Sequence, residues 1–184
     1  MTIRKVAQWV LTALAFVGAI LVIVSFALPF FSQTASFSSV IFSGSGTLTV
    51  TGFAYAFGGT SVIASSSSSF TYGDVSIAPG ILSAFILAVL GLVLLVVHLV
   101  FSYGKTPVLV KKGLAVVIFL VFGALTGLLF STLPLVGEDA SSSSSAVVDA
   151  SAGLGSGAIL GGVFSAVVAL LALLSAVVAP DTAK

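Results

Sequence analysis

Four long apolar stretches set the pattern of the chain, at residues 6–29, 79–103, 113–134 and 157–179, and none of them contains Asp, Glu, Lys or Arg. A bilayer hydrocarbon core about 30 Å thick takes about 20 apolar residues wound as a helix. Each stretch is long enough to cross. The pattern predicts an all-α membrane protein, a four-transmembrane-helix bundle forming one integral membrane domain over residues 1–184. Its outer loops fall at 30–78 and 135–156 and its inner turn at 104–112. Leu28-Pro29 and Leu133-Pro134 are read as helix stops, because proline lacks an N–H and restricts the residue before it.

The first outer loop is rich in Ser, Thr, Gly and Phe. From Thr47 it alternates, with Thr47, Thr49, Thr51, Phe53, Tyr55 and Phe57 on one face and Leu48, Val50, Gly52, Ala54 and Ala56 on the other, the period of a strand. Gly44-Ser45-Gly46 and Gly58-Gly59 are turn signals that set off further strands at 37–43 and 60–64, and Phe70-Thr71-Tyr72 is a last short one. A small extracellular antiparallel β-sheet cap of three or four strands is expected from this loop alone. Phe53, Tyr55 and Phe57 form one row, either the core face of that cap or an outer-cap interaction patch. The second loop is about half as long. Each loop carries a run of five serines, at 65–69 and 141–145, flexible by composition and open to O-linked modification.

Within the spans, small residues recur at helical spacing. Gly18 lies beside Ala15 and Ala19, Gly123 and Gly127 form a G-x-x-x-G, and Gly153, Gly157, Gly161 and Ser165 run on to Ala169 at four-residue intervals. In lipid such ridges let helices approach closely. They serve packing inside the bundle or a face between two copies.

Composition agrees: 59% of residues are apolar and 6% charged, against roughly 25% charged in soluble domains. The basic residues Arg4, Lys5, Lys105, Lys111, Lys112 and Lys184 all lie at the termini or in the central turn. The positive-inside rule then gives a multi-pass cell-membrane protein with both termini cytoplasmic. Charges so placed orient the chain and leave no nucleic-acid patch. The first span exceeds the 7–15-residue apolar run of a signal peptide and is read as retained. Trp9, near its inner end, is read as an interface anchor.

The chemistry available is sparse. Cysteine and asparagine are absent, which removes disulfides, thiolate nucleophiles and N-glycosylation acceptors. His98 is the lone ionisable residue inside the spans; it is a weak candidate for holding a cofactor such as haem or a pigment, against a snorkelling or hydrogen-bonded role. No catalytic triad assembles from one inner histidine and outer acids, so an enzyme is not expected and no cofactor is assigned. Asp74, Glu138, Asp139 and Asp149 are weak candidates for Ca²⁺ ligands, against separate solvated charges.

The halves can be overlaid. Phe16-Val17-Gly18-Ala19-Ile20 is laid over Phe122-Gly123-Ala124-Leu125 with Gly18 on Gly123, Leu28-Pro29 matches Leu133-Pro134, and Asp74-Val75-Ser76 matches Asp149-Ala150-Ser151, as an internal duplication with parallel repeats would give.

The succession of short inner N-terminus, span, long strand-rich outer loop, span, short inner turn, span, shorter outer loop and span resembles claudin and peripheral-myelin-type tetraspan proteins. The resemblance is one of topology: the W…GLW…C…C signature of the claudin first loop is absent. It implies a left-handed bundle capped by an outer sheet, with lateral assembly. The expectation is a non-enzymatic structural or assembly protein, homo-oligomeric or bound to a partner membrane protein as well as to lipid. The alternatives are an accessory subunit of a larger membrane enzyme or respiratory complex, and an oligomeric pore or uncoupled transporter.

Overall fold

The computed structural model describes residues 3–38, 43–65, 69–103, 106–141 and 149–178. The elements are α1 (Ile3–Ser25), β1 (Pro29–Ser38), β2 (Ser43–Thr51), α2 (Gly52–Phe57), β3 (Gly59–Ser65), β4 (Ser69–Val75), α3 (Pro79–Tyr103), α4 (Val108–Ser141), β5 (Asp149–Leu154) and α5 (Ser156–Val178). The protein is mostly helical. Four helices, α1, α3, α4 and α5, are long and apolar enough to cross a membrane, and the strands form one small antiparallel sheet.

The helix ends differ from expectation in two places. Leu28-Pro29 does lie beyond α1, but Pro29 opens a strand. Pro134, expected as a stop, lies inside α4, which runs 34 residues to Ser141, about 51 Å at 1.5 Å per residue. Proline forfeits one backbone bond there, and the remaining bonds of a long helix outweigh it. The two Leu-Pro pairs that aligned the halves therefore mark different structures. At its other end α4 begins at Val108, so Lys111 and Lys112 belong to a helix and not to the turn expected at 104–112.

The chain divides into two compact units. The first comprises Met1–Ile23, Ile86–Gly127 and Gly162–Lys184. Its core is made of small and branched side chains, including Ala15, Ala19, Ala88, Ala115, Ile118, Phe122, Leu125 and Val168. Gly91 gives way to the Phe122 ring, since a Cβ there would lie 2.6 Å from Phe122 Cε2. Outward positions such as Leu14, Val93, Leu120 and Leu170 are equally apolar, which is the pattern of helices without a watered face.

The second unit, Val24–Phe85 and Leu128–Gly161, contains the whole sheet. Strand order is β4-β3-β2-β1-β5, with every neighbouring pair antiparallel. The first outer loop supplies four strands. The fifth comes from the shorter second loop: Phe31 of β1 pairs with Leu154 and Ser36 with Asp149. At the start of β1 the register with β2 shifts between Pro29 and Phe31. Such an irregularity re-aims side chains, and both Phe30 and Phe31 are buried.

Candidate functional site

The expected row of Phe53, Tyr55 and Phe57 on a strand is overturned, because β2 ends at Thr51 and these residues form the short helix α2. Thr51 caps it, its hydroxyl oxygen accepting from the Ala54 N–H at 3.2 Å. Such caps satisfy one of the orphan N–H groups of a first turn. Gly58 ends the helix with φ +79°, a conformation that glycine adopts without penalty. The three aromatics consequently part company. Tyr55 is buried, and burial pushes its hydroxyl up to about 12. Phe53 and Phe57, one turn apart, are 36% and 54% exposed and stack with ring centroids 6.4 Å apart.

Those two rings belong to a larger aromatic group. Phe85, on the first turns of α3, lies 5.6 Å from Phe53 and 5.1 Å from Phe57, both edge-on. Phe26 lies 5.3 Å from Phe85 and 4.8 Å from Phe30. The Phe30 ring is itself keyed between two glycines: a Cβ on Gly52 would come within 2.7 Å of it and one on Gly157 within 2.9 Å. Backbone bonds tie the group together, from Phe53 N–H to Phe26 O at 2.9 Å and from Ala78 N–H to Tyr55 O at 2.8 Å. Sequence reasoning missed Phe26, Phe30 and Phe85, which close the first apolar stretch, open the first outer loop and lie in the second apolar stretch respectively.

The small-residue positions also separate. Gly157 and Gly161 of α5 face Ser25, where Cβ atoms would meet Ser25 O at 2.6 Å and Ser25 Oγ at 2.7 Å. Gly18 packs against Val168, and Ser165 is buried with its hydroxyl 2.7 Å from that of Thr126. These four serve contacts within the chain. Gly153 does not continue their ridge: it lies in β5, and a Cβ there would meet nothing within 4 Å. Gly123 and Gly127 likewise face open space.

The strand order keeps Asp74 and Asp149 on different edges. Asp74 is on β4 and Asp149 on β5, the two opposite edges of the sheet. Four interstrand spacings of about 4.8 Å separate such edges by roughly 19 Å, and Ca²⁺ needs its ligands within about 2.6 Å. Glu138 and Asp139 lie on the far stretch of α4. Among the described residues no cluster of three metal-ligating side chains occurs. The serine run at 65–69 is split between the end of β3 and the start of β4, with 66–68 outside the described residues, as are 142–145 of the second run.

His98 lies in the first unit, 2% exposed. Neither ring nitrogen has a hydrogen-bond partner, and the Nε2 of buried Gln8 is in the same position. Neighbouring hydroxyls turn inward on their own helices: Thr12 bonds to Gln8 O at 2.9 Å and Ser102 to His98 O at 2.8 Å. A histidine so enclosed does not snorkel.

The chain matches no protein-family model. None of the curated proteins compared with it is similar enough to count as a relative.

Proposed function

We propose that this chain is a non-enzymatic structural membrane protein that acts by assembly, through contacts of its strand-rich outer face with further copies or with a partner membrane protein. The observation that carries the reading is the open sheet. Among the described residues nothing pairs with the outer side of β4 or of β5. Unpaired strand edges are ready templates for another chain, and a single acidic residue on each edge, Asp74 and Asp149, is thin protection. Both edge strands also lead directly into membrane-length helices, β4 into α3 and β5 into α5, so a contact made at either edge bears on the helix behind it.

The basic residues at the termini, at Lys105 and at the start of α4 support an orientation with those parts cytoplasmic and the sheet outside. With that orientation the succession of spans and loops supports the likeness to claudin-type tetraspan proteins, and with it lateral assembly. The test is cross-linking in intact membranes combined with native mass spectrometry. Oligomers or a partner at fixed stoichiometry are expected. A monomeric, partner-free species in both measurements overturns the reading.

His98 favours a second reading, an accessory subunit whose imidazole meets a group belonging to a larger complex. Its near-complete burial weighs against that, because a shared ligand needs access to the ring. Purification from native membranes with a visible absorption band that His98→Leu removes would favour the accessory subunit.

A further inference from the structure

We propose that the exposed aromatic face of α2 is a membrane-interface anchor, with Phe53 and Phe57 seated among the upper acyl chains just beneath the lipid headgroups. The inference rests on the reading that the four long helices span a bilayer. Three backbone hydrogen bonds fix the level of α2: Gly52 N–H donates to Leu28 O at 3.4 Å, Phe53 N–H to Phe26 O at 2.9 Å, and Ala78 N–H to Tyr55 O at 2.8 Å. α2 is thereby held where α1 ends and α3 begins, and it cannot ride up with the body of the sheet.

The depth follows from α3. Its 25 residues extend about 37 Å and exceed a hydrocarbon core of about 30 Å by some 4 Å at each end. Phe85, six residues in from Pro79, lies about 9 Å along the axis and so about 5 Å inside the hydrocarbon. Phe57 and Phe53 touch that ring edge-on at 5.1 and 5.6 Å, which sets them at the hydrocarbon margin. Leu28 and Ile77, at the two chain connections beside α2, are exposed as well. No Asp, Glu, Lys or Arg occurs from residue 24 to residue 73, so nothing charged on this stretch opposes contact with lipid.

The side-chain chemistry selects the same depth. Tyr and Trp favour the headgroup level because they carry a polar handle. α2 turns its tyrosine inward and presents phenylalanine, which has none. Lipid acyl chain is the occupant that fits; docked protein from a second copy is the competing outcome.

The experiment places single tryptophans in a Trp9→Phe background, reconstituted in phosphatidylcholine vesicles. Phe57→Trp reports on α2, with Phe53→Trp as a second reporter should the first variant fail to fold, and Leu90→Trp, on an exposed mid-helix position of α3, reports on the bilayer core. The α2 reporter is expected to lose most of its emission in lipid brominated high on the acyl chains and less in lipid brominated near the terminal methyl, with the reverse order for Leu90→Trp. Quenching of the α2 reporter by aqueous iodide and not by brominated lipid overturns the anchor. Shielding from both quenchers also overturns it, in favour of a protein partner. If Leu90→Trp escapes brominated lipid as well, the membrane-spanning reading falls and the anchor with it.

Discussion

Thr126 on α4 and Ser165 on α5 hold their hydroxyl oxygens 2.7 Å apart. Each is also within bonding distance of a carbonyl on its own helix, Thr126 of Phe122 O at 2.9 Å and Ser165 of Gly162 O at 2.9 Å. Two hydroxyls have two protons, so three contacts cannot all be full hydrogen bonds. One hydroxyl must leave its own helix to make the link between helices.

That competition limits what the link contributes. Interhelical hydrogen bonds in membranes average about 0.6 kcal/mol and reach about 1.7. Thr126→Val and Ser165→Ala are each expected to cost within that range, and the double variant is expected to cost less than their sum. Thermal unfolding of the detergent-solubilised protein, run as a double-mutant cycle, measures it.

Glycine positions supply a sharper contrast. A Cβ on Gly155 would overlap the carbonyl of Pro29, and one on Gly157 would meet Ser25 O at 2.6 Å and Leu28 O at 2.9 Å. These neighbours are backbone and cannot rotate away. Gly155→Ala and Gly157→Ala are expected to destabilise by at least the ~1–3 kcal/mol of ordinary overpacking.

Gly123→Ala and Gly127→Ala should do the opposite, because a methyl there meets nothing within 4 Å. Replacing glycine by alanine in a helix gains up to about 1 kcal/mol where space allows. Unchanged or raised thermal stability is expected. If those same variants shift the protein from oligomer to monomer on native gels, this face of α4 is where copies meet.

Much of this fold was legible from the residues, and each failure has its own physical cause. Apolar runs of membrane length announce themselves by composition, so all four long helices were visible. α2 was not, because residues four apart share a face in a strand and in a helix alike. Phe53 and Phe57 therefore fitted either reading, and only Tyr55, two residues from each, decides between them. The cap at Thr51 and the stop at Gly58 were the available signals. β5 was hidden for another reason: Asp-Ala-Ser-Ala-Gly-Leu has little strand character, and its pairing with β1 is a long-range contact that no local pattern encodes. The small-residue stripes were found, but sequence spacing could not say which of them faced a neighbour in the chain.

Tyr55 gives a pH dependence. Its hydroxyl rises from an ordinary value near 10 to about 12 in the folded protein because burial disfavours the phenolate. The folded state then holds this proton more tightly than the unfolded chain does. The stabilisation is fully present below pH ~10 and is lost as pH rises through about 12. Stability should decline across that window, and Tyr55→Phe should flatten the decline. Tyrosinate absorbance should also lose a component titrating at about 12 in that variant.

The buried imidazole of His98 is a test of whether this protein stands alone. A neutral imidazole has one donor and one acceptor nitrogen, and both lack partners here. Each such buried polar atom costs about 1–3 kcal/mol in proteins. Leucine has nearly the same volume and no polar atoms, so His98→Leu is expected to raise the thermal midpoint of the purified protein. The direction of the shift is informative in itself. A rise means that the ring has no partner in the isolated protein and that its cost is tolerated within the bundle. A fall, seen in protein extracted gently from native membranes and absent in protein purified to homogeneity, means that a second component supplies the missing bonds. That result would move the chain from self-assembly toward service as a subunit of a larger complex.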